Sequence, residues 1–158
     1  IEGIKLFWIE EPFHENVEDY AKLYSWLKMH DHLPLLADGE AKPDEKVLRQ
    51  LGTQKIISVF LQDISSLGFT RWISFIKEIE RMGILSSPHA WGSAIKTNYI
   101  SHLAGASGTT ATIEGVTCTS DDVDLTDYRL RKGKLIPSSK PGFGMDLLKK
   151  MYHLVQNH

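Results

Sequence analysis

One cysteine, Cys118, stands in 158 residues, which excludes an internal disulfide and a zinc site built on thiolates. A reducing, cytoplasmic compartment fits that usage. Long apolar runs are missing too. Stretches such as Val59-Phe60-Leu61 fall far short of the ~20 residues that span a bilayer, so no membrane partner is expected. Charge of one sign is also lacking. Lys plus Arg number 18 and Asp plus Glu 20, a formal charge of −2, which argues against nucleic acid as a partner held by net charge. Ile1 opens the chain with neither an initiator Met nor the basic start and apolar core of a signal peptide, so part of something longer is expected. What is present reads as ordinary globular protein: 42% hydrophobic and 24% charged residues, enough for one domain or a piece of one.

Short apolar runs alternate with segments of helical spacing. Leu6 to Ile9 is strand-like and stops at Glu10-Glu11-Pro12. Asn16 caps a helix whose apolar stripe is Val17, Tyr20, Ala21, Tyr24 and Leu27. Leu33 to Ala37 ends at Asp38-Gly39-Glu40, and a short helix follows Pro43 and stops near Gly52. Ile56 to Leu61 ends at Gln62-Asp63; Thr70 caps the next helix and Gly83 terminates it. Ile84-Leu85 ends at Ser86-Ser87-Pro88-His89, with a helix from near Ser93, and Thr109 to Ile113 ends at Glu114. The order βαβαβαβαβ predicts an α/β fold of parallel strands joined by right-handed crossovers. Beyond Glu114 polar turns take over, and Leu147, Leu148, Met151, Tyr152 and Val155 predict a final amphipathic helix.

Every strand-like run ends in an ionisable residue: Glu10, Glu40, Asp63, His89 and Glu114. They recur at about one βα unit. In a (β/α) barrel such strand ends meet on one face, where active sites are built. Carboxylates without thiolates suit Mg²⁺, and a His beside an Asp makes a general base. Taken singly, a Glu after a strand is more often a solvated loop residue or a helix cap. In register, the five read either as that or as an active-site face.

Trp8-Ile9-Glu10-Glu11-Pro12, Asp38-Gly39-Glu40, Gln62-Asp63 and Ser87-Pro88-His89 together resemble the C-terminal barrel of the enolase superfamily. Asp63 on one strand with His89 on the next is similar to the mandelate racemase subgroup; the muconate lactonizing branch would place a lysine near Asp63. Pro141-Gly142-Phe143-Gly144-Met145 resembles the family's closing tail. The resemblance implies about five βα units from the C-terminal part of a TIM-type (β/α)7β barrel over residues 1–125, with a tail and closing helix over 126–158. It implies Mg²⁺ on Glu10 and Glu40, Glu11 as a variable neighbour, His89 as acid/base partnered by Asp63, and Glu114 supporting a developing enolate. A third metal carboxylate, a Lys-x-Lys strand and a lid domain would lie upstream of Ile1. The implied activity is dehydration of an acid sugar, with racemisation of a 2-hydroxy acid as the alternative on the same His–Asp pair. A non-catalytic barrel fragment is the reading from another class.

Other residues invite weaker assignments. His14 and Trp91 lie on the correct face for a substrate contact, with solvation or loop packing as the alternative. His30-x-His32 has metal-ligand spacing but precedes its strand, and His102 lies on an apolar helix face. Asp38 shares the direction of Glu40 if the strand continues, and Lys132-Gly133-Lys134 reads as a turn. Five strands leave open edges, with Ile9, Leu36 and Leu61 as inner-layer residues lacking cover. Self-association into a homo-oligomer is therefore expected.

Overall fold

The computed structural model describes residues 4–30 and 33–152. The chain divides into two compact units, one running up to His89 with Thr109–Thr112 added, the other comprising Ala90–Gly108 and the residues from Ile113 onward.

The first unit alternates strand and helix. Its strands are β1 (Trp8–Glu10), β2 (Leu35–Asp38), β3 (Val59–Phe60) and β4 (Leu85–Ser86), and its helices are α1 (Val17–Met29), α2 (Glu45–Thr53), α3 (Ile64–Leu67) and α4 (Phe69–Met82). The strands form one parallel sheet in the order β1-β2-β3-β4. Register pairs Glu10 with Ala37, Asp38 with Phe60, and Phe60 with Ser86. All strands therefore end at the same level. The expected fifth strand is reduced to one parallel bridge, Ser86 to Thr110. Side chains hold this segment: Ser87 Oγ lies 2.7 Å from Thr112 Oγ1, and Ser86 Oγ 3.3 Å from Thr110 Oγ1.

Alternation along the strands separates two faces. Ala37, Val59 and Leu61 form a buried cluster with Trp8, Leu35 and Leu85 packed against it. The opposite face meets the helices, with Phe60 edge-on to Phe75 of α4 at 5.2 Å. Leu61 takes the inner face as expected, but both it and Leu36 are buried, so neither lacks cover. Ile9 and Leu36 do not take that face: they pair with each other one residue out of phase with the cluster, so they belong to the Phe60 face.

The helix ends show why the chain breaks where it does. Asn16 Oδ1 accepts from the N–H groups of Glu18 and Asp19 at 2.8 and 3.1 Å, the expected cap. Asp44 caps α2 through Lys46 and Val47, so Pro43 lies just before the helix rather than in its first turn. Asp63 caps α3, a single turn that the sequence pattern does not show, and Gly68 (φ 86) links it to α4. Thr70 consequently lies inside α4 instead of capping it. Gly83 ends α4 in the left-handed region (φ 63), as expected.

In the second unit, α5 (Ala94–Ala106) is capped by Ser93. Two antiparallel pairs follow: β5 (Val123–Asp124) with β8 (Asp146–Leu147), and β6 (Arg129–Arg131) with β7 (Lys134–Ile136). Lys132-Gly133 forms the tight turn between β6 and β7, both with positive φ. The final amphipathic helix is not formed over Leu147 and Leu148. Leu147 pairs with Val123, and the Leu148 N–H donates to the Asp122 carbonyl at 2.8 Å. A 3₁₀ turn at Lys149–Met151 follows, and Val155 lies outside the described residues.

Candidate active site at the strand ends

Backbone pairing runs past β1 and β4 and carries the chemistry-bearing residues with it. Glu11 N–H donates to Ala37 O at 3.0 Å, Ser87 N–H to Phe60 O at 2.8 Å, and His89 N–H to Leu61 O at 2.9 Å. The His89 carbonyl in turn accepts from Ile64 N–H at 3.4 Å. His89 is thus bracketed by the residues on either side of Gln62-Asp63, which sets Asp63 and His89 at adjacent strand ends. Asp63 Oδ1 accepts from Ser65 and Ser66 N–H groups at 2.7 and 3.0 Å, so the start of α3 orients this carboxylate.

Two strands away, Asp38-Gly39-Glu40 turns sharply. Gly39 has φ 113, and a Cβ there would sit 3.0 Å from Leu48 Cδ1, so this turn requires glycine. The turn breaks the alternation, and Asp38 does not share the direction of Glu40. Its Oδ2 accepts a hydrogen bond from Tyr20 Oη on α1, and its Oδ1 accepts from Gly39 N–H at 2.6 Å. Burial pushes the Asp38 carboxyl up to about 6; the Tyr20 hydrogen bond opposes this and the Glu15 charge adds to it. Tyr20 is itself raised far above its ordinary value, by burial first and then by Asp38.

Glu40 emerges on the other side of the turn. Its Oε1 lies 3.3 Å from His89 Nε2. The residue expected to hold a cation and the residue expected to move a proton therefore meet. Glu10 ends β1 with its side chain exposed. Glu11, which the sequence marks only as a neighbour, has φ 42 and accepts with Oε1 from the backbone N–H groups of Glu40 (2.8 Å) and Ala41 (3.4 Å).

His14 is almost fully exposed, 3.1 Å from Glu15 Oε2 through Nδ1. With Glu11, Phe13, Glu15, Asp38 and Ala41 it lines a cavity of about 280 Å³. His30 caps α1 and stacks on Trp26 at 4.1 Å; its partner in the His-x-His spacing, His32, lies outside the described residues. In the second unit, Glu114 Oε2 accepts from Ala90 N–H at 3.1 Å, while the Glu114 carbonyl accepts from Thr97 Oγ1 at 2.9 Å. Trp91 is 72% exposed. His102 lies 2.9 Å through Nε2 from Tyr128 Oη, which donates to the Phe143 carbonyl. That histidine anchors the tail.

Glu10 and Glu40 are hard oxygen donors, the class that suits Mg²⁺. Among the described residues no group of three His, Cys, Asp or Glu side chains converges as a metal site. The two residues fit such a cation in the chemistry of their donors.

The profile of the family described as Enolase C-terminal domain-like matches residues 1–151. The chain belongs to that family. Its sheet and helices are accordingly part of a (β/α) barrel. Among solved structures, galacturonate dehydratase from Geobacillus, complexed with D-galacturonate and 5-keto-4-deoxy-D-galacturonate, is 28% identical with a TM-score of 0.89. The match covers 99% of this chain and 42% of that one. A mandelate racemase/muconate lactonizing protein from Geobacillus sp. Y412MC10, complexed with magnesium and tartrate, is also 28% identical, with a TM-score of 0.88 over 98% of this chain and 40% of that one. An enolase-named protein from Pantoea ananatis, with bound D-gluconate and magnesium, is 25% identical with a TM-score of 0.74, over 95% and 36% respectively. The chain thus spans about two fifths of the length of these proteins. No curated protein sequence matches it.

Proposed function

We propose that the protein removes the proton α to a carboxylate in a Mg²⁺-dependent reaction, and that the outcome is dehydration of an acid sugar. The observation that carries the reading is the 3.3 Å approach of His89 Nε2 to Glu40 Oε1. An imidazole and a carboxylate from two different strands meet at the face where barrel enzymes work. The likeness to galacturonate dehydratase over nearly the whole chain supports the choice of substrate class.

In this account Glu10 and Glu40 contribute carboxylates to the cation, which when bound supplies positive charge beside the substrate carboxylate. His89 takes the α-proton and, protonated, stands ready to give a proton to the departing β-hydroxyl. Loss of that hydroxyl as water leaves an enol, which becomes a 2-keto-3-deoxy acid. Asp63 orients the imidazole and stabilises its charged form, and Glu114 supports the developing enolate. A small-molecule carboxylate is the partner, and copies of the chain are the expected assembly.

Racemisation of a 2-hydroxy acid is the second reading, favoured by the likeness to a mandelate racemase/muconate lactonizing protein bound to magnesium and tartrate. Product analysis of the full-length protein with a panel of acid sugars separates the two. Dehydration gives a 2-keto acid that forms a semicarbazone, and racemisation gives an epimer that does not. No turnover of any acid sugar or 2-hydroxy acid in the presence of Mg²⁺ would overturn both.

A further inference from the structure

Glu11 is held in an unusual backbone conformation. Its φ of 42 is sparsely populated for a residue with a Cβ and persists only where the surroundings over-determine it. Two features do so here. The Glu11 N–H extends the β1–β2 ladder to Ala37 O at 3.0 Å, and its side chain crosses to the next strand end. There Oε1 accepts from Glu40 N–H at 2.8 Å and Ala41 N–H at 3.4 Å. Hydrogen bonds from backbone amides to a carboxylate are about twice as strong as neutral ones. They close on the residue that follows the Gly39 turn, whose own side chain reaches His89. The strained residue and the turn it ties down therefore serve the same side chain.

We propose that Glu11 is a positioning residue: its carboxylate fixes the Glu40 amide and so sets the direction from which Glu40 reaches a divalent cation. The inference rests on the reading of Glu40 as a cation ligand. Glu11 acts through an accepted hydrogen bond, and its own oxygens need not join the metal.

Calorimetric titration of the full-length protein with MgCl₂ tests this, using Glu11→Gly, Glu11→Gln and Glu40→Gln with thermal melting of each. Glycine suits the positive φ while removing the acceptor; glutamine keeps an oxygen that accepts the same two amides. Should the glycine variant fail to fold, Glu11→Asn replaces it, since Asn tolerates the left-handed region and is one methylene too short. The expected result is a loss of Mg²⁺ affinity of about 10- to 100-fold in Glu11→Gly, the range for partners that orient metal ligands. Most of that affinity returns in Glu11→Gln. Unchanged affinity in Glu11→Gly, with affinity lost in Glu40→Gln, overturns the inference and leaves the site reading standing. Equal loss in Glu11→Gly and Glu11→Gln also overturns it, because the charge rather than the acceptor would then matter. Unchanged affinity in Glu40→Gln removes the site reading itself.

Discussion

His89 Nε2 and Glu40 Oε1 stand 3.3 Å apart, although 49 positions separate them in the chain. Pairing of each strand end with its neighbour creates this contact, and on the proposed reading of Glu40 as a ligand any change to it acts on both the cation and the imidazole. Glu40→Gln keeps the shape and removes one negative charge. Turnover of the full-length protein should fall about a thousandfold, the scale set by several kcal/mol of charge stabilisation at ~1.4 kcal/mol per tenfold. Steady-state kinetics across Mg²⁺ concentrations checks this; near-native turnover with metal still bound would remove Glu40 from the ligand set.

Tyr20 donates to a carboxylate that is 2% exposed and has few other donors. Tyr20→Phe leaves Asp38 short of one hydrogen bond in a buried position. A loss of about 1–3 kcal/mol is expected, read from urea unfolding at neutral pH. A change under 0.5 kcal/mol would show that water replaces the phenol, against the ~1–3 kcal/mol expected of a buried unsatisfied group.

Tyr128 gives a pH dependence at the alkaline end. Burial, with Tyr99 adding to it, pushes its hydroxyl up to about 12. In the unfolded chain it ionises near the ordinary tyrosine value of 10. Between these values the unfolded state binds fewer protons, so stability falls as pH rises from 10 towards 12. Tyr20, raised by burial as well, adds a slope of its own. Unfolding free energies between pH 9 and 11.5 should therefore fall less steeply in Tyr128→Phe than in the wild type. Identical slopes would contradict the assignment.

β1 has a strand on one side only among the described residues, and Ile4 and Phe7 beside it are 57% and 63% exposed. Unpaired edges and apolar side chains of this kind favour pairing with another chain. The 158-residue chain alone should sediment as more than one copy. A cooperatively folding monomer in ultracentrifugation and thermal melting would contradict this.

Much of this architecture is legible in the sequence because each strand-like run is followed by an ionisable residue and helices such as α1 and α5 open on a capping side chain, Asn16 and Ser93; α4 opens on Gly68 without one. The losses have physical causes. Ile64-Ser65-Ser66-Leu67 is one turn, too short for periodicity to register. Asp38 turns toward Tyr20 because the Gly39 φ breaks the two-residue alternation that would have aligned it with Glu40. Ile9 and Leu36 are as apolar as Leu61, and only the register tells which face they take. Leu147 and Leu148 fit a helix, but pairing of Leu147 with Val123 makes that residue part of a strand, and helical turns begin only at Lys149. The role of Glu11 lay in a backbone angle and a reach across 29 positions, neither of which a motif displays.

Proton removal at the α-carbon is the step on which the account stands. Proton NMR of a panel of acid sugars in D₂O, with the full-length protein and Mg²⁺, reports it whether the product is a keto acid or an epimer. The account predicts loss of the α-proton signal from at least one substrate, dependent on Mg²⁺ and slowed about 10²–10⁴-fold in His89→Asn, the usual contribution of a general base. An α-proton signal lost at the same rate in His89→Asn, or retained in every substrate of the panel, would contradict it.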